Sequence, residues 1–376
     1  MPERSTKRMS QCTIVGGGII GLTTARELQG AGYQVTILEQ NQVGQESSWA
    51  AGGILSPILP WQFPEKAQEM HLRAVETFPA FAAELQQNTG IDPQYRQCGM
   101  LIWNTEEKKQ ALEWSQKTGI KIQSIGKQEI RCNEPILPAL NKEALWLPNV
   151  AQIRTPRLIE ALRRDAKRRG VNIQENTKVK AVDFSNHRIK SVHTNKETFD
   201  TDMLILTAGA WSERFLRQAG LQCTIKPIRG QVVAYQAPQN LLQTIVCHNG
   251  RYLIPRKDGT ILAGSTLEDV GFDKETTQEG IQDIKNDAER LLPALKQFQI
   301  LYKWAGLRPG KDNDIPIIGT HPSIHGLYIN TGHFRNGICL SMLSAKLLKD
   351  IITRGNPRID PAPYSPKNYI ANTVAV

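Results

Sequence analysis

Three glycines near the start of the chain, Gly16, Gly18 and Gly21, have the spacing Gly-x-Gly-x-x-Gly, and Glu39 follows 18 residues after the last of them. In this pattern the first glycine permits a tight turn, the second lets the backbone approach a pyrophosphate, and the third allows close packing of helix on strand. The N–H groups at a helix N-terminus attract phosphate, and an acid at the position of Glu39 accepts hydrogen bonds from ribose. The spacing therefore predicts a dinucleotide site that disfavours a 2′-phosphate.

The elements that would position these residues follow in the same order. An apolar strand over 12–15 leads into the glycine turn, a helix is predicted over about 20–31, and Gly32 ends it. A second strand over 34–38 finishes beside Glu39. This complete unit is more specific than the glycines alone. FAD and NAD share the pattern, and because only one such unit is visible, the rest of the chain must decide between them.

The composition is that of an ordinary globular protein, with 376 residues, 40% hydrophobic and 22% charged. The length fits two domains or one large interleaved domain. Six scattered cysteines without a C-x-x-C pair favour a reduced, cytoplasmic protein. The uncharged stretch 9–25 continues into the nucleotide-binding pattern, so we expect no cleaved signal peptide. No run of 18 apolar residues occurs, which predicts no spanning helix.

The formal net charge of +10 raises the alternative of binding to nucleic acid or to an anionic membrane. The densest basic stretch, 154–169, has the pattern of a helix that Thr155 caps, Pro156 enters and Gly170 ends. The apolar stripe of this helix would consist of Leu158, Ile159, Leu162 and Ala166. Its basic face would consist of Arg163, Arg164, Lys167, Arg168 and Arg169. We predict a solvated basic face here, with nucleic-acid or membrane contact as the alternative.

Three further segments place small residues at the ends of predicted elements. The segment 45–53 (QESSWAAGG) offers small residues, against which a bulky ligand can lie, and two serine hydroxyls that can bond phosphate. The segment 202–212 (DMLILTAGAWS) is an apolar strand that ends in a glycine turn, where a ligand can approach the strand's carboxyl end. The segment 331–338 (TGHFRNGI) leads from a strand into a C-terminal helix over 340–352.

In these motifs the chain resembles the D-amino-acid oxidase superfamily of flavoproteins, and within it the glycine oxidase branch associated with thiamine biosynthesis. The segments 250–259 (GRYLIPRKDG), 304–310 (WAGLRPG) and 314–319 (DIPIIG) extend the resemblance to nearly the whole chain, from about 11 to 352. It implies an α/β fold. In it, a Rossmann-like FAD-binding domain of the glutathione-reductase type is interleaved with an α+β substrate domain built on a mixed antiparallel sheet.

The resemblance also predicts how the chain divides. The FAD-binding domain would take residues 11–60, 150–225 and 305–360, and the substrate domain would take 61–149 and 226–304. Within the first, a strand over 171–179 would lead into a small meander over 182–193. Residues 1–10 would form a disordered N-terminal tail, and residues 361–376 a C-terminal tail.

FAD is the cofactor that the resemblance implies. The expected contacts come from the glycine turn, the small-residue segment, the meander and the two later turns: Gly16, Gly18, Ile19, Ile20, Gly21, Glu39, Gln40, Ser47, Ser48, Ala51, Gly52, Gly53, Val179, Ala208, Gly209, Trp211, Gly332, His333, Arg335, Asn336, Gly337 and Ile338. In relatives with covalent flavin, a cysteine would precede 314–316. None stands there in this sequence, so we expect non-covalent FAD. We predict no metal site.

An arginine and a tyrosine hold the substrate carboxylate in this family, and the matching residues are Arg308 and Tyr252. A guanidinium grips a carboxylate through two parallel charge-assisted bonds, and the tyrosine hydroxyl adds a third. Arg335 would lie near substrate and flavin, where its charge could stabilise the anion of the reduced flavin. The alternatives are a surface ion pair for Arg308, a core tyrosine for Tyr252 and a structural salt bridge for Arg335.

The activity that the resemblance implies is oxidative deamination of glycine and other small amines or D-amino acids, such as sarcosine, D-alanine and D-proline. Hydride would pass from the α-carbon to flavin N5, giving an imine, and O2 would reoxidise the flavin and yield H2O2. Water would hydrolyse the imine to a 2-oxo acid and ammonia, or to a primary amine if the nitrogen was substituted. A neutral amine needs no side-chain base, so we assign no acid or base residue. We interpret His333 as a residue that packs or supports the backbone.

Two details bear on substrate size. The loop 56–61 carries Pro57 and Pro60, and we expect its bulky Trp61 to help close the substrate cavity. Leu267 stands where glycine oxidases carry a methionine, and it keeps the apolar volume. The size preference of the cavity stays open.

Two other function classes remain as alternatives. One is a membrane-associated D-amino-acid dehydrogenase that passes electrons to quinone; the length and the motif match favour the oxidase. The other is a nucleic-acid-binding or tRNA-modifying module, against which the absence of an attached methyltransferase domain argues. We expect a small amino-acid substrate and O2 as partners, no nucleic acid, no stable membrane insertion and, by resemblance, a homotetramer.

Overall fold

The structure is a computed structural model, and it describes residues 10–56, 59–103, 106–138 and 143–370. The predicted tail 1–10 therefore lies, except for Ser10, outside the described residues, as do Pro57, Ile58 and the last six residues of the predicted C-terminal tail. The helices of the described part are α1 (Ile19–Gly30), α2 (Ser47–Ala50), α3 (Glu65–Thr89), α4 (Lys108–Thr118), α5 (Lys127–Asn133), α6 (Thr155–Arg168), α7 (Ser212–Gln218), α8 (Gln278–Leu291) and α9 (Gly337–Ile352).

The strands belong to four sheets. They are β1 (Gln11–Val15), β2 (Gln34–Leu38), β3 (Ile54–Leu55), β4 (Arg96–Gln97), β5 (Met100–Ile102), β6 (Gln123–Ile125), β7 (Ala144–Leu147), β8 (Ala151–Gln152), β9 (Asn172–Gln174), β10 (Val179–Ser185), β11 (Arg188–Thr194), β12 (Thr198–Asp200), β13 (Met203–Leu206), β14 (Lys226–Gln236), β15 (Ile245–His248), β16 (Arg251–Pro255), β17 (Thr260–Gly264), β18 (Glu268–Asp269), β19 (Ile300–Gly310), β20 (Ile317–Thr320) and β21 (Leu327–Thr331).

A six-stranded sheet of order β20-β21-β13-β1-β2-β9 forms the nucleotide-binding layer. Its strands run parallel except β20, which pairs antiparallel with β21 at one edge. The central strands β1 and β13 are buried over nearly their whole length, because helices cover one face and the meander β10–β12 with α7 covers the other. The predicted order of strand, glycine turn, helix and strand is confirmed, with α1 one residue earlier than expected.

A second sheet of nine strands has the order β18-β14-β17-β16-β15-β5-β7-β6, and β19 pairs with β14. All of its pairs are antiparallel except β15 with β5, so the predicted mixed antiparallel sheet is confirmed. Helix α8 covers one face, where it packs against β14, β16 and β17. Strand β19 pairs with β14 along its length. Residues 305–310 of this strand, which were predicted for the FAD-binding domain, therefore lie in the second sheet.

The basic helix α6 begins differently from the prediction. Arg154 is the N-cap and Thr155 is the first helical residue, with no side-chain cap. The Thr155 hydroxyl instead donates to the carbonyl oxygens of Trp49 (3.1 Å) and Ala51 (2.8 Å), which ties α6 to α2. The apolar stripe is buried as predicted, and the basic residues are half-buried or exposed.

Two other segments depart from the predicted elements. The strand expected over 171–179 is shorter, since β9 ends at Gln174 and Val179 already begins the meander. The described part of the predicted C-terminal tail packs against the first sheet through two short turns, Ala362–Tyr364 and Pro366–Tyr369, and Tyr364 is buried in the core. An aromatic side chain in a terminal segment gains by such burial. In the described part of the chain, no helix combines the length and apolar character needed to cross a membrane.

The helices on the first sheet are joined by a buried ion pair. Asp165 of α6 accepts from Arg26 Nε of α1 at 2.9 Å and from Arg169 Nε at 2.7 Å. Both Arg26 and Asp165 are buried. Arg26 also pairs with Glu84, whose side chain is 47% exposed, and with Glu27 at 3.7 Å. Asp165, whose side chain is 3% exposed, is the most buried of its three acidic partners.

We expect Asp165→Ala to lower the free energy of unfolding by about 2 kcal/mol, because two charge-assisted hydrogen bonds, from Arg26 and Arg169, are lost from the interior while Arg26 keeps its pairs with Glu84 and Glu27. Urea denaturation followed by circular dichroism measures the change. Glu160→Ala is the matched control on the same helix, where the pairs with Arg163 and Arg164 are partly exposed and worth about 0.5 kcal/mol. Equal losses in the two variants would contradict the role of the buried pair.

Candidate functional site

A cavity of about 670 Å³ lies where the carboxyl ends of β1, β2 and β13 face the second sheet. The predicted site residues come together here. Those that line it are Gly16, Gly18, Ile19, Ile20, Glu39, Gln40, Ser47, Ser48, Ala51, Gly52, Gly53, Val179, Ala208, Gly209, Trp211, Tyr252, Arg308, Gly332, His333, Arg335, Asn336, Gly337 and Ile338. Gly21 does not line the cavity. It packs beneath the turn, which agrees with its predicted role of allowing the helix to pack closely on the strand.

The glycine turn is closed against β13 and against itself. Gly16 has φ +106°, and a Cβ there would lie 2.6 Å from the carbonyl oxygen of Thr207. A Cβ at Gly21 would lie 2.0 Å from the carbonyl oxygen of Gly16. Only glycine fits either position, because backbone atoms cannot move aside as a flexible side chain can. The turn is thereby held at the N-terminus of α1, where free N–H groups favour phosphate.

Glu39 has a structural task in addition to its predicted one. Its carboxylate accepts from the backbone N–H of Gly17 at 2.8 Å and of Asn41 at 2.9 Å. Burial raises the pKa of Glu39, while these two N–H bonds lower it. The carboxylate thus holds the glycine turn from beneath and still lines the cavity. Its bond to a ribose stays a prediction.

The small-residue segment joins the two sheets. Its first four residues after Glu46 form the short helix α2, where an irregular loop was expected. Ser48 Oγ accepts from the N–H of Ile19 at 2.9 Å, so it lies at the N-terminus of α1. Ser47 Oγ donates to the carbonyl oxygen of Leu307, one residue before Arg308. The two neighbouring hydroxyls therefore contact the nucleotide turn and the strand of the predicted substrate arginine.

The turn before α9 brings unpaired polar atoms to the cavity. Asn330 Oδ1, His333 Nε2 and Asn336 Nδ2 are buried and have no hydrogen-bond partner among the described residues, and all three residues line the cavity. Buried polar groups in folded proteins are nearly always satisfied, so such atoms indicate a polar ligand. Burial, with a smaller effect from nearby His71, lowers the pKa of His333 to about 3, which keeps its imidazole neutral.

These features fit FAD. The cavity offers a glycine turn at a helix N-terminus for a pyrophosphate, an acid near the end of β2, and unpaired polar atoms before α9 for a polar ring system. Gly52 lies directly against Tyr252 and Ile254, since a Cβ there would be 3.2 Å from the tyrosine oxygen and 2.8 Å from Ile254 Cδ1. Residues Ala51, Gly52 and Gly53 carry little or no side chain along the same wall.

Arg308 is a partly buried cation without an acidic partner among the described residues. Its Nη2 donates to Ser265 Oγ at 2.7 Å and its Nη1 to the carbonyl oxygen of Thr266 at 3.3 Å. No carboxylate of the described residues pairs with it, so the alternative of a surface ion pair is wrong. Burial lowers the pKa of Arg308, with Tyr252 acting in the opposite direction. A guanidinium nevertheless stays protonated in proteins, and here it lacks a counter-charge.

Gly230 makes room for this guanidinium. A Cβ at Gly230 would lie 2.0 Å from Arg308 Nη1. Gly230 is in β14, which pairs with β19 so that Ile228 is opposite Arg308. The side chain of Arg308 therefore folds back across β14 over a position that has no side chain.

Tyr252 is buried beside the same group. It pairs in register with Gly264 across β16 and β17, and a Cβ at Gly264 would lie 2.9 Å from its hydroxyl oxygen. Burial raises the pKa of Tyr252, while Arg308 and a hydrogen bond with Ser265 lower it. The ring belongs to the core cluster of the second sheet and also lines the cavity. It is thus both a core tyrosine and a hydroxyl beside Arg308.

Arg335 is at the rim. Its side chain is 51% exposed and its Nη2 pairs with Asp314 Oδ2 at 3.2 Å. It lines the cavity, and its charge lowers the pKa of Arg308. The structural salt bridge is therefore present, and a direct contact with substrate stays a prediction.

The loop before α3 closes one wall, but not through Trp61. Leu59, Gln62 and Phe63 line the cavity, whereas Trp61 is buried in the core of the second sheet. The Trp61 Nε1 donates to Glu107 at 2.6 Å. The prediction for Trp61 is therefore wrong, because its large ring gains more from core packing. Leu267 lines the cavity and is 61% exposed at its mouth.

Several lining residues were not predicted. Among them are Thr177, Arg214, Gly230, Arg251, Ser265, Thr266 and Asp287. Arg251, Ser265 and Thr266 stand inside segments that the sequence had marked, next to or near Tyr252 and Leu267. No motif marks Gly230 or Asp287, since their roles depend on which strands and helices meet.

Acid–base and metal chemistry find little support in the cavity. Its acidic lining residues are all engaged: Glu39 with two N–H groups, Glu46 with Lys274, and Asp287 with Arg251. No cluster of His, Cys, Asp or Glu within the described ranges could hold a metal ion. Each acidic residue that lines the described cavity therefore has a partner within the protein.

We expect Gly21→Ala to weaken the binding of FAD by at least about tenfold, equivalent to 1.4 kcal/mol, because the new methyl group would displace the turn or the start of α1. Fluorescence titration of the flavin-free protein with FAD measures the dissociation constant. Gly30→Ala on the same helix is the control, since no atom lies within 4 Å of a Cβ there. An unchanged dissociation constant in Gly21→Ala would contradict the close packing.

Comparison with known proteins gives the same picture. The family model described as FAD dependent oxidoreductase (DAO) matches residues 11–351. A glycine oxidase of Pseudomonas aeruginosa is 38% identical over 354 residues, which cover 94% of this chain and 97% of that protein. The bifunctional protein ThiO/ThiG of a Synechocystis species is 31% identical over 97% of this chain, which spans 55% of that protein.

A solved structure agrees along the whole fold. The crystal structure of glycine oxidase from Geobacillus kaustophilus superposes with a TM-score of 0.91 at 30% identity, covering 96% of this chain and 100% of that one. The family match extends over both sheets and over each segment that lines the cavity. The chain therefore belongs to the FAD dependent oxidoreductase (DAO) family.

Proposed function

We propose that this protein oxidises glycine and other small amines or D-amino acids, such as sarcosine, D-alanine and D-proline. O2 is the acceptor and is reduced to H2O2, and water hydrolyses the imine to a 2-oxo acid and ammonia, or an amine in place of ammonia where the nitrogen is substituted. The observation that carries the proposal is the partly buried guanidinium of Arg308, which has no acidic partner among the described residues and lies beside Tyr252 in the cavity that the glycine turn borders. The names of the glycine oxidase relatives support it.

The substrate carboxylate would bind to Arg308. The guanidinium is held by two neutral oxygens, so a carboxylate supplies the counter-charge that it lacks and gains charge-assisted hydrogen bonds. Tyr252, whose raised pKa keeps the hydroxyl protonated, donates to the same group. A buried site of this kind discriminates strongly against amines without a carboxylate, because they leave the cation unpaired.

Among the described residues, those that line the cavity offer no free carboxylate to accept a proton from the substrate amine. Bound FAD supplies the hydride acceptor. No side chain that lines the described cavity is a free carboxylate, and His333 is neutral but buried. The site therefore selects the amine in its neutral form, with the substrate held by its carboxylate, and no residue is assigned as a base.

The setting of the reaction is also proposed. The similarity to ThiO/ThiG proteins supports a role in the formation of the thiamine thiazole. The six cysteines are free thiols, which supports a reduced, cytoplasmic location. Cys247 lines the cavity, with its thiol against Met100 Sδ at 3.5 Å, and we propose that FAD stays non-covalent. The homotetramer stays a prediction.

Peroxide formation with glycine, sarcosine, D-alanine and D-proline tests the proposal directly. We expect activity with at least one of them, and we expect Arg308→Ala to lower kcat/KM by at least about 100-fold, equivalent to some 3 kcal/mol of lost carboxylate binding. Arg308→Lys keeps the charge without the fork and should be intermediate. Reduction of a quinone dye by the wild type, with no peroxide, would replace the oxidase by the dehydrogenase.

We expect Gly230→Ala to raise KM for the amino acid by about tenfold with FAD still bound, because its methyl group would take the place of the guanidinium and a small misplacement is costly. Steady-state kinetics and the flavin spectrum measure both properties. Gly126→Ala is the control, since no atom lies within 4 Å of a Cβ there. If Gly230→Ala lost FAD while the molecules that kept FAD had an unchanged KM, the substitution would act on cofactor binding and not on the position of Arg308.

A further inference from the structure

The orientation of Arg308 depends on one short segment. Both of its hydrogen-bond acceptors, Ser265 Oγ and the Thr266 carbonyl oxygen, come directly after β17. Neither acceptor is charged, so neither holds the guanidinium as strongly as a carboxylate would. The direction in which the fork faces the cavity is therefore set by where this segment lies.

Arg251 fixes that segment. It precedes Tyr252 in β16, and its Nη1 donates to the Ser265 carbonyl oxygen at 2.6 Å. Neighbouring residues of a strand point to opposite faces, so Arg251 and Tyr252 approach Ser265 from different sides. Ser265 thus receives Arg251 on its carbonyl oxygen and Arg308 on its hydroxyl.

Asp287 in turn fixes Arg251. Its Oδ2 accepts from Arg251 Nε at 2.8 Å, and both side chains are about three-quarters buried and line the cavity. Because a guanidinium is planar, a bond at Nε sets the direction in which Nη1 points. Asp287 belongs to α8, which packs across β16 and β17. A helix on the far face of the sheet is therefore linked to Ser265 through one side chain.

We propose that the Arg251–Asp287 ion pair is the positioning device of the carboxylate site, which acts through Ser265 on Arg308. The inference rests on the proposed function for the identity of the substrate. It adds two positioning residues that do not touch the substrate carboxylate themselves. The pairing has a second consequence, since Asp287 neutralises Arg251, whereas the partly buried Arg308 has no acidic partner among the described residues of this wall.

The chain provides a matched control. The other carboxylate oxygen of Asp287, Oδ1, pairs with Arg290, whose side chain is 70% exposed and does not line the cavity. Arg290→Ala removes an arginine from the same carboxylate without touching Ser265. Any general effect of weakening α8 would appear in this variant as well.

The test uses the FAD-loaded protein and acetate as the carboxylate probe. Isothermal titration measures acetate binding, and the oxidase assay measures KM and kcat with the best amino-acid substrate. We expect Arg251→Ala and Asp287→Asn each to weaken acetate binding and raise KM by about tenfold, with kcat changed much less, because the lost step is orientation of the bound carboxylate. Arg290→Ala should stay within about twofold, as exposed pairs contribute little.

The double variant Arg251→Ala/Asp287→Asn decides whether the pair acts as a unit. Residues in one network are non-additive, so its acetate affinity should match that of the worse single variant. Additive losses, an equal loss in Arg290→Ala, or wild-type acetate affinity in Arg251→Ala would overturn the proposal. If the wild type oxidises no amine, the proposed function fails, yet the acetate titrations still test the positioning role.

Discussion

The partly buried guanidinium of Arg308, which has no acidic partner among the described residues, is the constraint on which the proposed site depends. Removing a guanidinium from water costs free energy that an acidic neighbour normally offsets, and Arg308 has none within the described structure. Two neutral oxygens satisfy part of its hydrogen-bonding capacity, and the absence of a side chain at Gly230 leaves space for it. In the proposed function, a substrate carboxylate supplies the missing counter-charge and so offsets this cost.

Hydrogen bonds in the rest of the cavity wall connect the two sheets near Arg308. Ser47 bonds the carbonyl of Leu307, and Trp304 Nε1 donates to the Ala50 carbonyl oxygen at 3.0 Å. Arg256, fully buried, donates to the carbonyl oxygens of Gly52 (2.7 Å) and Ile153 (3.1 Å). Burial lowers the pKa of Arg256 to about 10. The segment that follows the nucleotide turn is thus bonded on both sides to the strands that carry Arg308 and Tyr252.

Much of the fold and many of the cavity residues could be predicted because they are local. The glycine turn, α1 and β2 follow from periodicity and spacing within one short stretch, and they are correct to within a residue. Thr155 shows where local reasoning fails: its hydroxyl had two carbonyl acceptors on α2 that no local pattern reveals. Trp61 fails for a similar reason, since a ring next to a cavity gains more by packing into the adjacent core.

What the sequence by itself determined is the chemistry of each segment: a turn that only glycine can form, an acid after the second strand, and an arginine and a tyrosine that match those of a known family. The tertiary structure decided how these groups act together. It showed that Glu39 holds the glycine turn, that Gly230 accommodates Arg308, and that Asp287 reaches Ser265 through Arg251. Such relations depend on strand pairing and on which helix covers which face, because they join residues far apart in the chain, and no spacing rule encodes those distances.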